Sequence, residues 1–312
     1  MPPPCLCNMI LEYGGLSNGV ERIVVALRRL PDVVDWQSIC LPQQLEEGTV
    51  MNDPFSLEGK VSVVTGGNGG IGKGIADGLA AKGSAVVIAA RNEAKTAAAV
   101  EDIKSRFGVA ALGLAMDVGD EASIKSGIQR ALDEFGRIDV LVNNAGVNIR
   151  KQPQDYAVEE WDKILDINLR GAFLCCQAVY PAMKKAGRGK IINTGSMTSL
   201  FGLGKTVPYA CSKMGILSLT YSLALAWARD GIFVNCILPG WIDTPLMVTA
   251  RKDFPGLSEF VESRTPIARW GVPADFMGIA AFLASSASDF ITGEYIRVDG
   301  GYAQHGNTVS FD

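Results

Sequence analysis

The chain has 312 residues, a formal net charge of −4, 48% hydrophobic and 20% charged residues, the balance of a globular protein long enough to bury a core without cross-links. The slight acidic excess offers no basic footprint, so neither nucleic acid nor an anionic membrane surface is expected as a partner. Seven cysteines without a CxxC pair and a single histidine, His305, fit a reduced, cytoplasmic chain with no metal site and exclude hydrolysis of the HExxH type.

Residues 1–50 stand apart. "MPPPCLCNMILEYGG" has no basic region ahead of an apolar segment, so it lacks the form of a secretory leader, and Glu12, Glu21, Asp32 and Asp35 are out of place in a transit peptide. Val20, Ile23, Val24, Leu27 and Leu30 have the spacing of one short amphipathic helix. We expect 1–50 to be an extension outside the working fold and Met51 to be the biological start of a single domain over 51–312.

From residue 60 apolar runs alternate with helical patterns. Strands are predicted at 61–65, 85–90, 111–116, 138–144, 190–196, 232–238 and 294–300. Helices are predicted from Ile71, Ile75 and Leu79, at 93–107, 121–135, 159–169, about 171–186, 209–229 and about 273–285, with a loop-rich stretch before the last. Strands that are apolar throughout and alternate with helices imply an α/β fold: one doubly wound parallel sheet with helices on both faces.

"TGGNGGIG" (65–72) joins the first strand to the first helix. Five of its eight residues are glycine, and they satisfy both GxGxxG (Gly67, Gly69, Gly72) and GxxxGxG (Gly66, Gly70, Gly72). Glycine lets backbone approach a phosphate, and the helix that follows points its free N–H groups at it. The alternative is a purely structural turn; the strand–loop–helix context favours dinucleotide binding in a Rossmann sheet. At the end of the second strand, Ala90 stands where an acid would hold the ribose hydroxyls of NAD, and Arg91 follows. That favours NADP(H) over NAD(H), unless Arg91 is simply a solvated loop residue.

"YACSK" (209–213) places Tyr209 and Lys213 one turn apart on a helix face. Alone, the pair would be a half-buried tyrosine beside a solvated lysine. With TGxxxGxG at 65–72, "NNAG" at 143–146, Ser196 thirteen residues before Tyr209, and "PGWIDT" at 239–244, the chain from Leu57 to Tyr302 resembles the classical short-chain dehydrogenase/reductase family. The resemblance implies an acid–base device. Ser196 would hydrogen-bond the substrate oxygen and Tyr209 would exchange a proton with it. Lys213 would hold the nicotinamide ribose and lower the tyrosine pKa from its usual ~10, and Asn168 would anchor a proton-relay water. It also implies cofactor contacts from Thr65, Gly66, Asn68, Gly70, Ile71 and Gly72 at the pyrophosphate, and from Asp117 and Val118 at the adenine. Asn143 and Gly146 would meet the ribose, and Pro239, Gly240, Ile242 and Thr244 the nicotinamide side. Asn143 has an alternative role, tying neighbouring strands together.

Substrate loops of such a sheet lie beyond its C-terminal strand ends. "VNIRK" and "SRTPIARWGVPADFMG" resemble the sugar-acid branch of the family, gluconate 5-dehydrogenases and 2-deoxy-D-gluconate 3-dehydrogenases. Arg150 would clamp a carboxylate, unless it is a solvated loop arginine. Arg269 is a weaker candidate, and Met197 and Trp241 would make the pocket partly apolar. The expected function is hydride transfer between NADP(H) and a secondary alcohol or ketone of a sugar acid or polyol. The alternatives are a 3-oxoacyl-thioester reductase and a non-catalytic dinucleotide sensor. The resemblance further implies a homotetramer.

Overall fold

Most strands form on Val- and Ile-rich apolar runs such as "VSVVT" and "AVVIAA", with helices between them. The computed structural model describes residues 53–304; the extension expected at 1–50, the start assigned to Met51 and His305 lie outside these. In chain order the described elements are β1 (Val61–Thr65), α1 (Gly70–Ala81), β2 (Ala85–Ala90), α2 (Glu93–Phe107), β3 (Ala111–Ala115), α3 (Glu121–Phe135) and β4 (Val140–Asn143). Then follow α4 (Val158–Leu165), α5 (Gly171–Ala186), β5 (Gly189–Thr194), α6 (Val207–Trp227), β6 (Ile232–Pro239), α7 (Pro245–Asp253), α8 (Leu257–Arg264), α9 (Met277–Ala284) and β7 (Tyr295–Val298).

The strands make one seven-stranded sheet in the order β3-β2-β1-β4-β5-β6-β7, every pairing parallel. Register follows from burial on both faces. Val61, Val63, Val87, Ala89 and Leu141 turn toward α3, α5 and α6. Their neighbours Val64, Val86, Ile88, Val140 and Val142 turn toward α1, α2 and α9. A one-residue slip would exchange the two sets, so the pattern specifies the pairing strongly. Strand order reverses between β1 and β4, which opens the crevice where a doubly wound sheet binds its ligand.

Two features depart from the sequence expectation. The helix predicted at 159–169 ends at Leu165 and passes into a wide turn over Asp166–Arg170, where the Gly171 N–H reaches the Asp166 carbonyl. Such an inserted residue loosens the helical ladder and is frequent at functional sites. The stretch read as loop between β6 and α9 contains α7 and α8. Pro245 opens α7, its fixed φ suiting the first turn, and Gly256 precedes α8 in the left-handed region. At nine and eight residues, neither helix is long enough to show a clear hydrophobic period in the sequence. Among the described residues no helix is long and apolar enough to cross a membrane.

Candidate active site

The glycine loop settles which spacing matters. Gly66 and Gly70 have φ of +66° and +53°, whereas Gly69, of the competing GxGxxG pattern, is extended. A Cβ on Gly72 would run into the Gly66 carbonyl and the Asn144 amide, so the third position is closed to any other residue. Thr65 does not present its hydroxyl to this loop's ligand side. Its Oγ1 donates to the Val142 carbonyl (3.2 Å) and accepts from the Asn144 and Ala145 N–H groups (3.0 and 3.1 Å). Asn144, which the sequence reading passed over, donates its amide to the Thr65 and Gly66 carbonyls (3.1 and 3.2 Å). The second Asn of NNAG therefore ties β4 to the loop.

The first Asn has the opposite orientation. Asn143 is buried, and its amide nitrogen donates to Asn193 Oδ1 (2.9 Å), Cys176 Sγ (3.2 Å) and the Ala172 carbonyl (3.3 Å). That nitrogen braces β4 against β5 and α5, as the strand-tying alternative describes, while Asn143 Oδ1 is buried without a hydrogen-bond partner among the described residues. Ile242 is part of the core on the α1 face, and Ile71 is partly buried against it. Pro239 is the last residue of β6, and Gly240 lies so close to Asp299 that a Cβ would meet its Cα at 2.6 Å.

Beside the loop a cavity of roughly 290 Å³ is lined by Gly66, Asn68, Arg91, Lys95, Asp117 and Val118 among others, with Gly146 and Val147 at one end. Asn68 also hydrogen-bonds Thr96 Oγ1 (3.1 Å), fixing the loop to α2. Arg91 lies 3.9 Å from the Asp117 carboxylate, both half-open to solvent. Lys95 is a second cation at this wall that the sequence reading missed. It sits in the first turn of α2, where its N–H is capped by the Asn92 side chain (2.9 Å). Two cations facing a cavity beside a glycine loop and a helix N-terminus fit an adenosine that carries a 2′-phosphate.

Gly146 connects this cavity to the proton-transfer residues. A Cβ there would sit 3.2 Å from Asn168 Oδ1 and 3.7 Å from Lys213 Nζ. Asn168, in the wide turn, is buried; it exchanges two hydrogen bonds with the Val147 backbone (2.8 and 2.9 Å) and donates to Ser212 Oγ (3.1 Å). Its side chain is thus a brace between the β4 loop and α6.

Tyr209 and Lys213 share one face of α6, with the ammonium 5.7 Å from the ring centroid. Lys213 is buried and donates to the Thr194 carbonyl at the end of β5 (2.7 Å). Burial pulls its pKa down to about 8, partly opposed by the nearby Cys236 thiol. Burial likewise pushes Tyr209 up, while the Ser196 hydroxyl and the Arg150 guanidinium both favour its phenolate. Ser196, Tyr209 and Lys213 are therefore one cluster, with Met197 buried beside it.

Arg150 reaches Tyr209 electrostatically, is half-buried, and has no hydrogen bond or ion pair among the described residues. Arg269 is different: it holds Asp275 with two hydrogen bonds (2.8 and 2.9 Å) and its own neighbour's carbonyl. Its guanidinium is thus engaged within its own loop. Trp241 packs edge-on against Trp270 and Tyr302 (5.9 and 6.3 Å). Thr244 brings its methyl within 3.3 Å of where a Gly70 Cβ would be, so the loop after β6 covers the glycine loop.

A family model described as enoyl-(acyl carrier protein) reductase matches residues 66–303. The chain is 40% identical over 250 residues to the 2-dehydro-3-deoxy-D-gluconate 5-dehydrogenase of Escherichia coli, spanning 80% of this chain and 97% of that protein. It is 37% identical over 251 residues to the 5-keto-D-gluconate 5-reductase of the same organism, spanning 80% and 98%. A gluconate 5-dehydrogenase from Burkholderia cenocepacia, crystallised with NADP and tartrate, superposes with a TM-score of 0.77 at 38% identity, covering 81% of this chain and 98% of that one. Identity of this extent over nearly the whole length of these proteins, on the same sheet, shows that the chain belongs to the short-chain dehydrogenase/reductase family of oxidoreductases.

Proposed function

We propose that the protein is an NADP(H)-dependent oxidoreductase that interconverts a secondary alcohol and a ketone on a sugar acid. The observation that carries the reading is the half-buried Arg150, without an ion-pair partner among the described residues and within electrostatic reach of Tyr209. A guanidinium there matches a carboxylate held with its carbinol carbon at the tyrosine. The gluconate-type relatives support the same substrate class.

In the reducing direction, Ser196 donates a hydrogen bond to the ketone oxygen and Tyr209 gives that oxygen its phenolic proton. Lys213 stabilises the phenolate left behind. In oxidation the proton returns from the alcohol to Tyr209. The nicotinamide, when bound, supplies or takes the hydride. Gly66, Gly70, Gly72 and Gly146 would hold the dinucleotide, with Arg91 and Lys95 at its 2′-phosphate.

The domain over 51–312 would work in the cytoplasm as a homotetramer. Met214, Tyr221 and Leu225 of α6 and Phe173 of α5 are exposed apolar residues, Leu225 at 86%, and pairing with a second copy would cover them. A monomer in sedimentation velocity would refute the assembly.

The test of function follows reduced-nicotinamide absorbance with D-gluconate, offering NADP⁺ and NAD⁺ separately, with Tyr209→Phe as control. Turnover with NADP⁺ that Tyr209→Phe abolishes is the expected result. Turnover on acyl thioesters but no sugar acid would favour the second reading, to which the matched family's description points. Cofactor binding without turnover on any carbonyl compound would leave the non-catalytic sensor.

A further inference from the structure

Ser199 lies three residues beyond Ser196, in the short turn Met197–Ser199 that follows β5. It is buried and contributes nothing to the cofactor cavity. Its hydroxyl makes two hydrogen bonds, and each ends on the backbone of a proton-transfer residue. Ser199 Oγ accepts from the Ser196 N–H (3.2 Å) and donates to the Lys213 carbonyl (2.7 Å).

The second bond is not needed to satisfy that carbonyl. Lys213 lies in the interior of α6, where its oxygen already serves the helical ladder, and the extra bond uses its other lone pair. What the bond does is fix the helix against the turn. Lys213 also donates its Nζ to the Thr194 carbonyl, so this residue is held to the end of β5 from its backbone and from its side chain. Ser196 is fixed in turn: its N–H is taken by Ser199, and its Oγ accepts from the Thr198 N–H (3.2 Å). The site has no slack, since a Cβ on Gly195 would lie 3.1 Å from both Ser199 Oγ and Cys236 Sγ.

We propose that Ser199 is a positioning residue for proton transfer, one hydroxyl that sets the spacing between Ser196 on its turn and the Tyr209–Lys213 face of α6. The inference rests on the roles proposed above for Ser196, Tyr209 and Lys213. Small misplacement of such groups lowers turnover steeply, while cofactor affinity, which depends on the glycine loop and the Arg91–Lys95 wall, stays as it is.

The test is a double-mutant cycle of Ser199→Ala and Ser196→Ala, with kcat, NADPH affinity by fluorescence, and the pH profile of alcohol oxidation. Ser199→Ala is expected to lower kcat about tenfold, below the ~10²–10⁴-fold of losing the proton-transferring group itself, with NADPH affinity unchanged. The charged and titratable groups around Tyr209 are Lys213 on its own helix and Arg150 from the β4 loop, with Cys236 of β6 facing Lys213. All three remain in the variant. A loosened Ser196 stabilises the phenolate less, so the rising limb of the profile moves to higher pH. In the Ser196→Ala background the further loss from Ser199→Ala is expected to fall below twofold, because the group it positions is gone.

Unchanged kcat in Ser199→Ala would overturn the inference. So would an equal loss in both backgrounds with an unmoved pH limb, which is what a merely structural serine gives; the catalytic reading would then stand. A Ser196→Ala enzyme with full activity would take both down. Should Ser199→Ala fail to fold, Ser199→Cys, which keeps a weaker donor and acceptor, carries the same comparison with a smaller loss.

Discussion

Lys213→Met in the cofactor-free protein tests the electrostatics of the site without any substrate. Lys213 is 5% exposed and burial lowers its pKa from 10.5 to about 8. Its folded pKa is below its unfolded one, so between these values the unfolded chain binds more protons and stability rises with pH. At ~1.4 kcal/mol per unit, integrating the linkage from pH 7 to pH 9.5 gives a gain of roughly 2 kcal/mol. Met keeps the length and removes the charge, so the variant lacks this slope. Urea denaturation of both proteins at several pH values isolates the effect, because Lys60 and Lys190, which burial also lowers, are present in both. The half-buried Tyr209 works in the opposite sense, and only above its ordinary pKa near 10. A wild-type-minus-variant difference that stays flat from pH 7 to 9.5 would refute the claim that Lys213 is held desolvated.

Other outcomes follow from the same geometry. Arg91→Ala and Lys95→Ala should each weaken NADP⁺ binding about 10-fold or more, the scale of a hydrogen bond between charged groups, and leave NAD⁺ binding unaltered; equal losses for both cofactors would exclude a 2′-phosphate role. Gly72→Ala forces a methyl into the Gly66 carbonyl and the Asn144 amide; we expect about 1–3 kcal/mol lost in thermal unfolding, together with cofactor affinity. Arg150→Ala should raise KM for a carboxylate substrate about 10–100-fold, with a smaller fall in kcat because the Tyr209 phenolate loses a nearby cation. A neutral ketone serves as comparison, and an equal rise in its KM would argue against a carboxylate clamp.

Much of the site was readable before any coordinates. β1 and β2 are recognisable because runs such as "VSVVT" and "AVVIAA" suit burial on both faces. The glycine loop is recognisable because two of its residues need φ that other side chains resist. Tyr209 and Lys213 are recognisable because a helix turns their spacing into a shared face. In contrast, Asn143 and Asn144 are adjacent and identical, and nothing local says that one braces the sheet and the other the glycine loop. Arg269 and Arg150 are both loop arginines; only the approach of Asp275 to the first distinguishes them.

Local chain chemistry determined the elements, their parallel layering and the residue types gathered at the strand ends. Propensity, hydrophobic period and glycine conformation all act within a few residues of one another. Tertiary structure decided which polar atoms are spent on the scaffold and which remain for ligand. Thr65 spends its hydroxyl on residues about 80 positions away, Asn168 spends its amide on Val147 and Ser212, and Ser199 reaches Lys213 across fourteen residues. A side chain's hydrogen-bond capacity is finite, and which partner fills it depends on what packing brings within about 3 Å, a distance no local pattern encodes.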